Sequence, residues 1–132
     1  MGPGAVCITI GGILSLLLAA FHCCFYNLFH WRDELGKLEG RNRKVLLTIH
    51  IALILLFVFM GVVSLSDCGE LAASRGLALS FNIGYSLFWL WRMVWQLTYL
   101  KRPQGNFSPL NVALLCAFGM LCVCYAVPVV AR

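Results

Sequence analysis

Four long runs of apolar residues make up most of the chain, and short polar segments separate them. The runs cover about residues 5–29, 45–66, 77–100 and 109–130. Each approaches or exceeds the roughly 20 residues that a helix rising about 1.5 Å per residue needs to cross about 30 Å of hydrocarbon. Backbone groups in lipid must be satisfied within the segment, so the pattern predicts four membrane-spanning α-helices. The short connections favour an all-α, up-down antiparallel four-helix bundle that forms one domain over residues 1–132.

Composition supports a membrane protein. Of 132 residues, 61% are hydrophobic and 11% are charged, whereas soluble domains carry about 25% charged residues. A chain of this length cannot bury so much apolar surface in its own core, so lipid is expected to cover the remainder. The net charge of +5 does not indicate a nucleic-acid partner, because the basic residues flank the apolar runs and form no separate domain.

Basic residues are concentrated on one side of the predicted bundle. The loops 30–44 and 101–108 together hold seven lysines and arginines, whereas the opposite side has Arg75 and Arg132. The positive-inside rule therefore places both loops in the cytoplasm and both termini outside it.

A stripe of polar and aromatic side chains runs along one face of the third predicted helix. Its members recur at intervals of three or four residues and are Asn82, Tyr85, Trp89, Arg92, Gln96 and Tyr99. The first helix carries a matching seam of Gly11, Ser15, Leu18, His22, Phe25 and Phe29. An arginine that faces lipid near the middle of a membrane costs several kcal/mol. The stripe is therefore expected to face the other helices or a cavity.

Two histidines and this arginine are predicted to lie at one depth. His22, His50 and Arg92 are six to ten residues from the basic loops, or roughly 9–15 Å below the cytoplasmic boundary. Gln96 lies one turn nearer the cytoplasm. His22 and Tyr26 are spaced to share a helix face, in line with His30. The predicted binding residues are His22, His50, Arg92, Gln96, Trp89 and Tyr26.

Arg92 has no acidic partner at its own depth, because none of the four apolar runs contains Asp or Glu. A guanidinium stays protonated in proteins. Three arrangements satisfy it: hydrogen bonds to carbonyls, amides or neutral imidazoles, extension toward the headgroups, or an anion supplied from outside the chain.

Several functions fit this cluster. The histidines could be polar packing residues that join helices, or line a pocket for a small anionic or amphiphilic ligand. His22 and His50 could also ligate a haem b iron, which would make the chain a haem- or quinone-linked electron-transfer subunit. A metal-ion site would need further ligands and is not predicted. No hydrolytic triad, zinc-protease motif or phosphate-binding loop is present, so enzymatic activity is not expected, except as a redox subunit.

Part of the chain resembles small, functionally unassigned bacterial four-helix membrane proteins. The resemblance is carried by Phe21-His22, the segment 29–35, Asn42-Arg43, His50, and the segment 88–92 with Gln96. It implies a bacterial cytoplasmic membrane and supplies no activity. We therefore expect a non-enzymatic membrane protein that binds a small ligand or a partner membrane protein. A homo-oligomer and a purely structural subunit of a larger complex are further hypotheses.

Overall fold

A computed structural model describes residues 2–99 and 108–131. These residues form helices joined by short turns, and no strand occurs in either described range. The helices are α1 (Pro3–Cys23), α2 (Phe25–Leu28), α3 (Trp31–Gly36), α4 (Gly40–Ser66), α5 (Cys68–Ala73), α6 (Gly76–Thr98) and α7 (Pro109–Val130). The predicted loop 101–108, except Ser108, lies outside the described residues.

Three helices, α1, α4 and α7, are long and apolar enough to cross a membrane. This finding supports the prediction of a membrane protein. The fourth long helix, α6, has 23 residues but is not among these three. The physical reason is its polar stripe, because Asn82, Arg92 and Gln96 lower its mean hydropathy.

The first helix ends earlier than the prediction of 5–29. α1 stops at Cys23, and α2 is a separate four-residue helix. His30 then adopts a left-handed backbone with φ of 50° and redirects the chain into α3. The predicted alignment of His22, Tyr26 and His30 along one continuous helix is therefore wrong.

The predicted loop 30–44 is largely helical. It contains α3, whose Leu35 is buried, and the first turn of α4, which begins at Gly40 rather than at 45. Arginine and lysine are good helix formers. Arg41, Arg43 and Lys44 therefore extend α4 beyond its apolar part without a break. We call the part of the molecule around α2 and α3 the α3 end, and the opposite part, around α5, the α5 end.

Close helix packing joins α4 to α1, α1 to α7 and α7 to α6. α1 and α4 approach through glycines: a Cβ added to Gly61 would lie 2.7 Å from Leu16 and 3.1 Å from the carbonyl oxygen of Gly12. A Cβ on Gly12 would lie 3.0 Å from Cβ of Ser64. Small residues at such positions let helix backbones approach closely in membranes.

Two buried hydrogen bonds link the four long helices. The hydroxyls of Ser15 in α1 and Tyr85 in α6 are 3.1 Å apart, and those of Ser64 in α4 and Tyr125 in α7 are 2.6 Å apart. Each serine donates its own proton to the carbonyl four residues earlier. A hydroxyl has one proton, so the tyrosines donate to the serines. The two tyrosine rings meet edge to face with centroids 4.5 Å apart.

Because α1 and α4 are in close contact at Gly61, a larger side chain at this position should destabilise the protein. Gly61→Val should lower the free energy of unfolding by about 1–3 kcal/mol, the usual cost of overpacking. Gly84→Val is the matched control, because a Cβ at Gly84 meets nothing within 4 Å. Thermal unfolding in detergent, followed by circular dichroism, measures both. Equal melting temperatures for the two variants would show that α1 and α4 are not in close contact.

The Ser64–Tyr125 bond predicts a smaller effect. Tyr125→Phe removes the donor and should cost about 0.6 kcal/mol, with about 1.7 kcal/mol as the upper end for bonds between membrane helices. Tyr99→Phe is the control, since Tyr99 is 70% exposed. The same unfolding assay applies. A destabilisation by Tyr99→Phe that matches or exceeds that of Tyr125→Phe contradicts the assignment.

Candidate functional site

Four of the six predicted binding residues line one cavity of about 390 Å³ toward the α3 end: His22, His50, Trp89 and Arg92. They come from α1, α4 and α6. The remaining lining side chains are apolar or aromatic and are Phe21, Phe25, Leu53, Phe57, Phe88, Trp91, Leu114 and Phe118. Ligand sites are typically concave, mostly apolar and marked by a few polar groups, and this cavity has that character.

The other two predicted residues lie elsewhere. Gln96 is buried beside the cavity, where it accepts a hydrogen bond from Nη1 of Arg92 at 3.3 Å and donates one to Asn111 at 3.3 Å. Tyr26 is 49% exposed and does not line the cavity. Its predicted place in the site depended on α1 continuing past Cys23, where the helix ends.

Three stacked aromatic rings form one wall of the cavity. Trp89, which is fully buried, lies between Phe57 of α4 and Phe118 of α7. Its ring centroid is 5.4 Å from each, with interplanar angles of 23° and 22°. Stacked aromatic pairs of this kind contribute about 0.5–1.5 kcal/mol each beyond the area they bury. The stack connects three helices and gives this wall a defined shape.

The two histidines are held in place by backbone carbonyls. His22 donates through Nδ1 to the carbonyl oxygen of Leu18 at 2.7 Å. His50 donates through Nε2 to the carbonyl oxygen of His22 at 3.0 Å. That carbonyl is near the C-terminus of α1, where carbonyls lack partners within the helix. The two rings have centroids 5.8 Å apart.

Aromatic residues of the short helices cover the histidines. The ring of Phe25 in α2 stacks on His22 with centroids 4.4 Å apart. Trp31 in α3 packs on His50 at 4.6 Å and on Phe25 at 5.8 Å. The break after α1 therefore has a structural consequence, because it folds α2 and α3 back over the α3 end of the cavity.

Arg92 is half-buried and has no acidic partner. Besides its bond to Gln96, its guanidinium carbon lies 4.9 Å from the ring centroid of Phe118, a cation–π contact. The single ion pair within residues 2–99 and 108–131 is Lys37–Glu34, on the surface. A guanidinium has five N–H donors, and one of them has a protein partner in the described part of the chain. Among the described residues, therefore, nothing neutralises this cation, which faces an aromatic cavity.

Comparison with known proteins does not assign this chain to a family. No family model matches the sequence, and no curated protein or solved structure matches it either. Function must therefore be argued from the geometry of the cavity.

The positions of the histidine, cysteine and acidic side chains also show whether they could hold a metal ion. Within the described ranges no three side chains from His, Cys, Asp and Glu come together as a metal-ion site would require. Ligation of one haem iron by His22 and His50 would need a free nitrogen on each ring. Nδ1 of His22 and Nε2 of His50 bond carbonyls, which leaves Nε2 of His22 and Nδ1 of His50 as the nitrogens that an iron would use.

The sequence placed Phe25 on the seam of the first helix but not among the predicted binding residues. Trp31, Phe118 and Asn111 were missed as parts of this site. Asn111 had a signal, because it is a polar residue in the first turn of an otherwise apolar helix. Phe118 had none, since an apolar residue in an apolar span gives no sign of which way it faces. Trp31 was interpreted as part of a connector between spans.

The aromatic stack predicts that Phe118 stabilises the fold. Phe118→Leu removes one stacking contact and the cation–π contact, and should cost about 1–3 kcal/mol of unfolding free energy. Phe59→Leu is the control, because Phe59 is exposed on α4. The assay is thermal unfolding in detergent with tryptophan emission as the signal. If the two variants unfold at the same temperature, Phe118 does not hold the stack.

Proposed function

We propose that α1, α4, α6 and α7 form an up-down four-helix bundle that spans the membrane. The contacts support antiparallel neighbours: His22 lies near His50 while Gly12 lies near Ser64, so α1 and α4 run in opposite directions. Trp89 of α6 stacks on Phe118 of α7. Gln96, seven residues after Trp89, bonds to Asn111, seven residues before Phe118, so α6 and α7 also run in opposite directions. α6 crosses with its polar stripe turned inward, as the burial of Asn82, Tyr85, Trp89 and Gln96 supports.

We further propose a bacterial cytoplasmic membrane with both termini outside the cytoplasm. The support is the excess of lysine and arginine in residues 30–44 and 101–108. With this orientation the α3 end faces the cytoplasm, and the cavity lies in the cytoplasmic half of the membrane.

The function that we propose is the binding of a small anionic amphiphile inside the bundle. One observation carries it: Arg92 faces an aromatic cavity without a carboxylate partner in the described chain. A guanidinium in a low-dielectric site attracts an acidic group strongly, because paired charged hydrogen bonds replace its lost hydration. The aromatic walls would bury the apolar part of the same ligand.

A haem b subunit is the alternative. It is favoured by two imidazole rings 5.8 Å apart on neighbouring helices, each of which bonds a carbonyl through one nitrogen and keeps its second nitrogen for an iron. An optical spectrum of protein purified from its native membrane tests it. A Soret band that disappears in His50→Ala would support haem binding and contradict our proposal. Holo-protein without a Soret band would eliminate the haem alternative.

The proposed function predicts a specific effect of charge at position 92. Tritiated palmitate should bind to protein in lipid nanodiscs, and Arg92→Gln should weaken binding about 10- to 100-fold, since a hydrogen bond to a charged group contributes about 1.5–3 kcal/mol. Arg75→Gln is the matched control, because Arg75 is exposed at the α5 end. Hexadecanol, the neutral analogue, should bind weakly to all three proteins.

Two outcomes would contradict the proposal. Equal palmitate binding by wild type and Arg92→Gln, with unchanged melting temperatures, would show that the guanidinium does not bind the acid. Unfolding of both Arg92→Gln and Arg92→Lys would show that Arg92 is a structural residue.

A further inference from the structure

The cavity is too small for a whole membrane lipid. Its volume is about 390 Å³, near the lower end of the roughly 300–1,000 Å³ typical of ligand pockets. At about 30 Å³ for a group the size of a water molecule, it accommodates roughly a dozen non-hydrogen atoms. An acidic head with the first part of one acyl chain fits inside, whereas a lipid with a glycerol backbone would have to pass two chains through the gap.

The helices that flank the cavity leave a gap on one side. α4 is packed on α1, and α6 is packed on α7, but α4 and α6 are not a closely packed pair. Phe57 and Trp89 bridge them through their rings at one level. Toward the α3 end, Leu53 of α4 and Trp91 of α6 line the cavity on opposite sides of this gap, and Phe88 of α6 lines it beside Trp89.

The cytoplasmic end of the same cavity is covered. Phe25 and Trp31 pack on the two histidines with centroid distances of 4.4 and 4.6 Å, and Leu35 anchors α3 by being buried. A ligand from water would have to displace these aromatic contacts. A ligand from the bilayer would meet only the gap between α4 and α6.

We propose that the ligand is a single-chain amphiphile with an acidic head that enters from the bilayer between α4 and α6. Its head binds Arg92, and the part of the chain that the cavity cannot hold extends through the gap into lipid. This inference rests on the proposed function and adds the ligand class and the route. Carboxylate and phosphate heads share the required chemistry, because the planar guanidinium fork accommodates either one in a bidentate manner.

Photo-crosslinking in nanodiscs tests the position of the chain. Two palmitate probes carry a diazirine, one near the carboxylate and one at the terminal carbon, and labelled residues are mapped by mass spectrometry. The first probe should label the cavity wall at Trp89 or Phe118. The second should label the edges of the gap, at Leu53 or Trp91. Excess unlabelled palmitate should remove both signals.

A matched pair of variants tests the gap. Leu53→Trp places bulk at its α4 edge and should reduce terminal-probe labelling of the α6 edge at least fivefold. Leu55→Trp is the control, because Leu55 is 63% exposed on the outer face of α4 and does not line the cavity. If Leu53→Trp does not fold, Leu53→Ala replaces it and should accelerate palmitate exchange, whereas Leu55→Ala should not.

Competition distinguishes the ligand classes. Palmitate and a single-chain lysophosphatidate should both displace the probe, and the stronger competitor identifies the head. Equal displacement by a two-chain phosphatidate overturns the proposal, and so does terminal-probe labelling at Trp31 instead of the gap. In either case Arg92-dependent palmitate binding would leave the proposed function intact. If no palmitate binds, both the function and this inference are wrong.

Discussion

Two tyrosine–serine hydrogen bonds hold the four long helices in one arrangement. Between helices in lipid there is no hydrophobic driving force, so association depends on close packing and on hydrogen bonds. Ser15 and Ser64 accept from Tyr85 and Tyr125 at 3.1 and 2.6 Å, and the two tyrosine rings touch. Each of the four residues belongs to a different helix. Because this cluster fixes the rotation of every helix, it also determines which side chains reach the cavity.

The cavity follows from a difference in side-chain size between the two halves of the molecule. At the level of the tyrosine–serine bonds, glycines bring the backbones of α1 and α4 together: a Cβ on Gly61 would lie 3.1 Å from the carbonyl oxygen of Gly12. Toward the α3 end the facing positions hold large rings instead, including Phe57 and Trp89. Rings of this size keep α4 and α6 apart. The space between them is lined by aromatic groups and by Arg92, and these give the cavity its apolar walls and its charge.

The inward-facing residues of α6 could be predicted from the sequence, because the cost of placing a polar group in lipid is one strong constraint on where it faces. Polar groups in an apolar run are expected to face inward. Asn82 and Gln96 on α6 are buried as expected, whereas Tyr99, at the end of the same predicted stripe, is 70% exposed. The end of α1 at Cys23 was not predictable, because no proline or glycine marks it and tertiary contacts of α2 and α3 hold it. Tyr26 was misplaced for the same reason. Phe118 escaped notice because nothing in its local sequence distinguishes a phenylalanine that packs on Arg92 from one that faces lipid.

The central claim is that His22, His50 and Arg92 meet around one cavity inside the protein. Solid-state NMR of selectively labelled protein in lipid bilayers measures this directly. We predict dipolar contact between the His22 and His50 rings, whose centroids are 5.8 Å apart. We also predict contact between the Arg92 guanidinium carbon and the Phe118 ring, at 4.9 Å. Absence of both contacts, with guanidinium magnetisation transferred to lipid acyl chains instead, would contradict the account.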